Sequence, residues 1–374
     1  MPNTFSNLVA DAYKAASIVP KELTGFIGAV TRDASFDRVA IGQNVRVPIA
    51  PASTAADFTP AMAFPTAAYQ TITNSAVAIT KSRAVTFSWQ GEEVAALGPN
   101  YLTIQQDQIL QAIRTLTNEM ETDIATACSL TASRAYGTAG TTPFASTLVD
   151  LANAKKILDD NGVATSDRHF VMDTTAGVKF RTLTQLTDVN RAGESTLLRD
   201  GMTSAPLFGF GVRETGSPYQ ATAGTGASYQ LNGALAVGDT TVAVDTGSGT
   251  ILAGDVVTIS NHKYVVATAL ASGSFTISAP GIREAVADNT AITVSATSTR
   301  NIALRRSGVV LAARLPNMPD GGDMATDSEI IPIPELGLQL EVARYAGLGM
   351  ETYMVRAAWG VKVIDARQVA IVLG

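Results

Sequence analysis

The stretch APLFGFGVRETGSP, Ala205 to Pro218, holds the residues of this chain that come nearest to a ligand-binding loop. Gly209 and Gly211 form a G-x-G pair, the opening of a dinucleotide fingerprint in which glycines let the backbone approach a pyrophosphate. The third glycine position is Glu214, and no helical pattern follows that would aim an N-terminus at phosphates. A P-loop needs a Gly-Lys pair, and the chain has none. The stretch reads as a strand and a turn, and the question becomes what it joins.

Metal and nucleophile chemistry lack their residues as well. His169 and His262 are the only histidines and Cys128 is the only cysteine, so neither His-Glu-x-x-His nor Cys-x-x-Cys spacing is possible. His169 reads as a strand residue and His262 as a turn residue beside Asn261. No Gly-x-Ser-x-Gly elbow is present. Glu92-Glu93 and Asp159-Asp160 are sequence neighbours whose side chains point apart, a poor arrangement for paired acid/base work. The residues ask for no catalytic group, cofactor or metal, and an enzyme with a scattered site stays open only as a remote alternative.

Composition turns attention from chemistry to surface. Only 16% of the 374 residues are charged and 46% are hydrophobic, against roughly 25% charged in an average protein. No apolar run reaches the eighteen or so residues of a membrane helix. A chain this short of charge hides apolar surface either in a large core or between subunits. The formal net charge is −6, and no basic cluster extends beyond the pairs Lys155-Lys156 and Arg305-Arg306, which argues against sequence-specific nucleic-acid reading. One cysteine precludes an internal disulfide and suits a reducing compartment. The start, MPNTFSNLVADAYK, lacks a signal pattern, so cytoplasmic synthesis is expected.

Phe5, Leu8, Val9, Ala12 and Ala16 share a helical face that Pro20 ends, an amphipathic N-terminal arm. Val45, Val47 and Ile49 alternate as a strand, and so do Val85, Phe87 and Trp89. Between them, PASTAADFTPAMAFPTAAYQ carries one charge, Asp57. Its Phe58, Met62, Phe64 and Tyr69 need a surface to pack on, either the protein's own core or a neighbouring subunit. Leu102, Ile109, Ile113, Leu116, Met120, Ile124 and Ala127 then mark the clearest helix, with no Gly or Pro before Gly137. Glu119, Glu121 and Asp123 read as its solvated face.

The segment STLVDLANAKKILDDNG is a helix with Asn161-Gly162 as its C-cap, RHFVMD a buried strand, and TTAGVKFRTLTQL a helix capped by Asp173 or Thr174. From Thr222 to Thr299 the texture is all β. Val242/Val244, Val256/Val257/Ile259, Val265/Val266 and Phe275/Ile277 recur between Gly, Asp and Ser turns, at the spacing of a small sandwich or barrel. Mixed texture returns with NIALRRSGVVLAARLP. Three strand-like runs close the chain: LGLQLEVARY, METYMVRAAWG and QVAIVL.

The C-terminal third resembles the end of podoviral tailed-bacteriophage coat proteins. There an Ile-Pro-acidic-x-Gly-Leu strand leads to an aromatic-Gly-Val turn and a last strand. Here these are Ile333-Pro334-Glu335-Leu336-Gly337-Leu338 and Trp359-Gly360-Val361, with Asp365-Ala366-Arg367 where related proteins often have Arg-Pro. AVDTGSGTILAGDVVTIS resembles the β-domain inserted in the same proteins. The resemblance implies an α+β tailed-phage capsid fold with an inserted all-β barrel-like domain. It divides the chain into an N-terminal arm (1–38), an extended loop with flanking strands (39–90), a peripheral domain with a spine helix near Pro99 to Ser133 (91–145), a first part of an axial domain (146–221), the insert (222–299) and closing strands (300–374). Ala205–Pro218 would then lead into the insert.

The function implied is that of a major capsid protein, self-assembling as hexamers and pentamers into an icosahedral virion shell around double-stranded DNA. The implied partners are copies of itself, a scaffolding protein, a portal, DNA held without sequence specificity, and a decoration protein in some relatives; no membrane is implied. Phe5, Leu8, Phe58, Met62, Phe64 and Tyr69 are the expected intersubunit contacts. Another self-assembling shell, such as a nanocompartment, is the alternative within the same class.

Overall fold

The computed structural model describes residues 23–49, 60, 73–98, 101–188, 201, 203 and 206–374. Its longest element is the helix Tyr101–Thr131, 31 residues and so about 46 Å long at 1.5 Å per residue. Gln105, Ile109, Ala112, Ile113, Leu116, Thr117, Met120, Glu121, Ile124, Ala125, Cys128 and Ser129 are buried along it. That is a wider stripe than a helix lying on one sheet needs. The reason is that the helix is covered from more than one side.

On one side lies a six-stranded sheet. Its central strand, Met350–Val363, pairs antiparallel with Lys81–Gln90 over residues 350–359, with Leu338–Ala346 over 351–356 and with Val309–Pro316 over 358–363. Thr31–Val39 adds a parallel edge beside Val309–Pro316, and Asp327–Ile333 closes the other edge. Val355, Ala357, Trp359, Leu340, Val342, Leu311 and Ala313 share a core with the long helix.

On the other side is a sheet of Arg134–Tyr136, Val369–Leu373, Ser298–Arg305, Arg168–Asp173 and Phe210–Thr215. Both of its faces are buried, and the alternation is strict. Val171, Ile302, Leu304, Val369, Ile371 and Leu373 face the long helix. Phe170, Met172, Ala303, Ala370 and Val372 face a second core, built with the helices Val149–Asp160 and Thr174–Arg181. Asp173 caps the second of these helices through Ala176 N and Thr175 N.

The chain leaves this sheet after Tyr219–Ala221 and returns at Ser298–Arg305, and the two pair antiparallel with Ala221 opposite Ser298. Between them, Tyr229–Leu231, Thr241–Asp245, Ser274–Ile277, His262–Ala271, Val256–Ile259 and Ala291–Val294 pair in a ring that closes on itself, all antiparallel. Closure leaves the barrel no free edge. Leu231, Val242, Val257, Ile259, Val266, Phe275 and Ile277 fill it. The barrel also joins the body sheet through Lys263↔Ala135 and Tyr264↔Arg134. The molecule is thus α+β with an inserted barrel-like unit.

Three local expectations change. Trp359-Gly360-Val361 lies inside the strand Met350–Val363 and makes no turn. The turn falls instead at 334–337, joining Asp327–Ile333 to Leu338–Ala346. His262 opens a strand, opposite Ile259.

Candidate functional site

The largest departure from the sequence reading is Glu121. Expected on a solvated face, it is 1% exposed. Its Oε1 accepts from Ile27 N at 2.7 Å, and its Oε2 from Phe26 N at 3.0 Å and from the Thr215 hydroxyl at 3.2 Å. Burial pushes its carboxyl above the usual range, and the bonds from Ile27, Phe26 and Thr215 with the charge of Arg213 offset this only in part. The carboxylate acts as a latch. It holds the segment where the chain enters the body, and Phe26, Ile27, Ala29 and Val30 are buried beside it. Two glycines make the approach possible: a Cβ on Gly25 would meet the Glu214 carbonyl at 2.7 Å, and one on Gly28 the Arg213 guanidinium at 2.5 Å. Arg306 ties the same turn by donating to the Gly28 carbonyl at 3.2 Å.

Glu119 and Asp123 are not simply solvated either. Lys81 Nζ bridges them at 2.9 and 2.8 Å, Arg83 Nε reaches Glu119 at 3.1 Å, and Trp359 Nε1 donates to Asp123 at 2.8 Å. These contacts pin the long helix to the strand Lys81–Gln90 and its partner Met350–Val363.

Just before that strand stands a two-stranded hairpin, Asn44–Ile49 with Thr73–Ala78, which pairs with neither large sheet. An isolated hairpin is marginal in water. This one is seated by Val45, Val47, Val77 and Ile79 on Val310, Ala312 and Ala358, on the face of the six-stranded sheet turned away from the long helix. Gly360 explains itself here: a Cβ would stand 1.9 Å from the Ala78 carbonyl oxygen. Its glycine serves a close approach of two backbones.

The rest of that outer face is ionic. Glu341 is fully buried; Arg38 donates to it at 2.9 and 2.7 Å and Arg356 Nε at 2.8 Å, while Arg356 also pairs with Asp323 at 2.6 Å. Burial raises the Glu341 carboxyl, but the bonds from Arg38 and Arg356 outweigh it and hold it below the usual range. Arg314 pairs with Asp33 at 3.0 Å on the same face.

The residues singled out for chemistry do not assemble. Glu93 caps a short helix by accepting from Gln90 N at 2.9 Å. Asp159 pairs with Arg168 at 2.7 Å and Asp160 with Arg134 at 3.3 Å. His169 lies between Asp167 and Arg306, in a different sheet region from His262. Cys128 is buried, its thiol pushed up to about 12 by burial. Among the described residues no group of three or more His, Cys, Asp or Glu is placed to hold a metal ion, and no helix is long and apolar enough to cross a membrane. The expected contact residues Phe5, Leu8, Phe58, Met62, Phe64 and Tyr69 lie outside the described residues.

No family model matches the chain and no curated protein matches it. Among solved structures it is similar to one from Mycobacterium phage Che8, at 12% identity and TM-score 0.44 over 89% of this chain and 85% of that one. It is similar to the capsid of cyanophage P-SCSP1u, at 11% and 0.48 over 92% and 86%. A virus-like particle from Pyrococcus furiosus matches at 9% and 0.42 over 97% and 98%. Identities near a tenth and scores below 0.5 leave the functional reading to stand on this chain's own residues.

Proposed function

We propose that the protein is a major capsid protein, whose work is to self-assemble into a closed icosahedral shell around double-stranded phage DNA. The observation that carries this reading is the hairpin. Its paired strands end at Ile49 and Thr73, so residues 50–72 leave and return at one place, and they bring Phe58, Met62, Phe64 and Tyr69 with a single charge, Asp57. A connecting segment this apolar gains most if it packs on a second subunit. The Glu121 latch fixes Phe26 and Ile27, the point to which the proposed arm with Phe5 and Leu8 is tied in sequence.

On this reading the arm (1–38), extended loop (39–90), peripheral domain with the spine helix (91–145), axial domain (146–221) and closing strands (300–374) surround an inserted barrel (222–299). Thr31–Val39 at the end of the arm serves as a sheet edge. Ala205–Pro218 is the passage into the insert and binds nothing. The partners proposed are other copies in hexamers and pentamers, scaffolding and portal proteins, packaged DNA and, where one exists, a decoration protein. The protein performs no catalysis and resides in the virion after synthesis in the host cytoplasm. Weak contacts repeated around closed rings sum to a stable particle, and an acidic net charge suits a container whose DNA must slide.

Sedimentation and negative-stain imaging of the purified protein, alone and with a scaffold, test this. Shells or ring-shaped capsomers are expected, and a monomer under every condition refutes the reading. Particles that never enclose DNA assign a nanocompartment-type shell instead.

A further inference from the structure

We propose that the cavity between the inserted barrel and the body is a binding site for a small phosphate-type oxyanion. It opens between the strand Arg134–Tyr136, the helix Val149–Asp160 and the start of the barrel strand His262–Ala271, with a volume of about 360 Å³, the size of a small-ligand site. The charges around it do not balance. Arg134, Lys156 and Lys263 line it with the His262 imidazole, and no carboxylate does. Behind the wall, Asp160 is shared by Arg134 at 3.3 Å, Lys156 at 3.2 Å and Arg283 at 3.6 Å. Glu284 sits 3.9 Å from His262 and accepts from Ser260. Four cations thus meet two carboxylates, leaving the two positive charges that a phosphate dianion neutralises.

One hydrogen-bonding detail points the same way: the Lys263 ammonium donates to a neutral acceptor, the Gly137 carbonyl, so no carboxylate neutralises it there. Arg134, 3% exposed, spends its Nη2 on Ile157 O, Asp160 and Asn161 and contributes its charge from behind the lining. Arginine and lysine together, with Thr138, Asn153 and Asn261 as neutral lining groups, form the donor set that holds phosphate. The site lies within one chain, so it stands whether or not the protein builds shells.

Titration calorimetry of the full-length protein, at neutral pH and physiological salt, tests it with inorganic phosphate and with adenosine monophosphate. Saturable binding of one ligand per chain is expected. Lys156→Gln, at a position whose side chain is 63% exposed and so tolerant of change, should weaken it by about tenfold, the worth of one charge-assisted contact. Lys263→Gln should weaken it further, read only after circular dichroism shows the variant folded. Tighter binding of the nucleotide assigns a nucleotide, and equal binding assigns free phosphate. Absence of saturable binding by either ligand, or an unchanged constant in Lys156→Gln, overturns the proposal.

Discussion

Replacing Glu121 by alanine removes the acceptor of three hydrogen bonds at once, from Phe26 N, Ile27 N and Thr215 Oγ1. Each donor left buried without a partner costs about 1–3 kcal/mol. Relaxation of the entering segment limits the sum, because the turn can peel away and let water reach the two amides. Peeling is opposed by the burial of Phe26, Ile27 and Val30, at about 1.5–3 kcal/mol for each large side chain. Glu121→Ala should therefore lower global stability by about 3–5 kcal/mol in guanidinium unfolding. Amide exchange at Phe26 and Ile27 should accelerate by about a hundredfold or more, since 1.4 kcal/mol is a factor of ten.

Glutamine separates charge from shape. Its oxygen replaces one carboxylate oxygen, but its amide confronts the remaining N–H, so one bond is lost at about 1–3 kcal/mol. The sign with pH then distinguishes the two variants. The carboxyl of Glu121 is raised in the folded protein, so the native state holds its proton more tightly than the unfolded chain. The stability this contributes is present below the unfolded carboxyl pKa, about 4.3, and is lost as pH rises through the folded value. The advantage of wild type over Glu121→Gln should shrink as pH climbs. Unchanged exchange at Phe26 and Ile27 in Glu121→Ala, or an advantage that grows with pH, would refute the latch.

Glu341 has the opposite sign: held below the usual range in the folded state, it contributes stability above the unfolded carboxyl pKa that is lost as pH falls through the folded one. Glu341→Ala leaves Arg38 with the Pro316 carbonyl and Arg356 with Asp323 as its remaining carboxylate and should cost about 2–4 kcal/mol at neutral pH, checked by urea titration, with less of the difference surviving in acid. Gly360→Ala should unseat the hairpin, because its Cβ lands 1.9 Å from the Ala78 carbonyl oxygen; exchange at Ile79, whose N–H is bonded to Gln43 O, reports it. Phe64→Asp should leave the subunit folded and abolish particles in negative stain, by placing an unpaired charge in the proposed contact; normal shells from it remove the loop assignment. Exchanging Thr222–Thr299 for a short Gly-Ser linker should keep the far-ultraviolet helix signal, since the insert's ends enter and leave side by side at Ala221 and Ser298.

What could be read in advance was whatever local periodicity carries. The run RHFVMD, the closing strand in QVAIVL, and the apolar ladder Ile109–Ile113–Leu116–Met120–Ile124 all fall as their patterns imply, while Leu102, counted on the same helical face, is exposed. Misreadings came where a partner distant in sequence sets a residue's task. Glu121 is ninety-four residues from Ile27, and a carboxylate on a helix looks solvated until a backbone from elsewhere is laid over it. Resemblance to the coat proteins puts Gly360 in a turn, whereas its reason here is the Ala78 backbone. The strand Thr73–Ala78, TNSAVA, offers little alternation and takes its order from pairing with Asn44–Ile49. Closure of the barrel rests on Val256–Ile259 meeting His262–Ala271 and Ala291–Val294 at once, a register that composition does not contain.

A chain with so few charges places them with economy, and their placement bears on assembly. Two of its buried or bridged carboxylate groups stand at roots: Glu121 where the N-terminal segment enters, and Glu119 with Asp123 against Lys81, the first residue of the strand that follows the hairpin. Directional bonds in a low-dielectric interior resist sliding far more than apolar contacts do, which applies most to buried Glu121. The Lys81 pairs are partly exposed and hold their geometry by number, two carboxylates on one ammonium. The segments beyond the roots carry aromatic and aliphatic side chains, which repack across changed distances at small cost. In the proposed shell a subunit meets several slightly different neighbourhoods, and a fixed root with apolar residues beyond it in sequence suits that task. Weakening a root should then blur the shell's uniformity before it prevents assembly: Lys81→Met is expected to give particles of mixed size, where Phe64→Asp gives none. Uniform particles from Lys81→Met would mean that the ion pairs stabilise the fold and contribute nothing to the geometry of the shell.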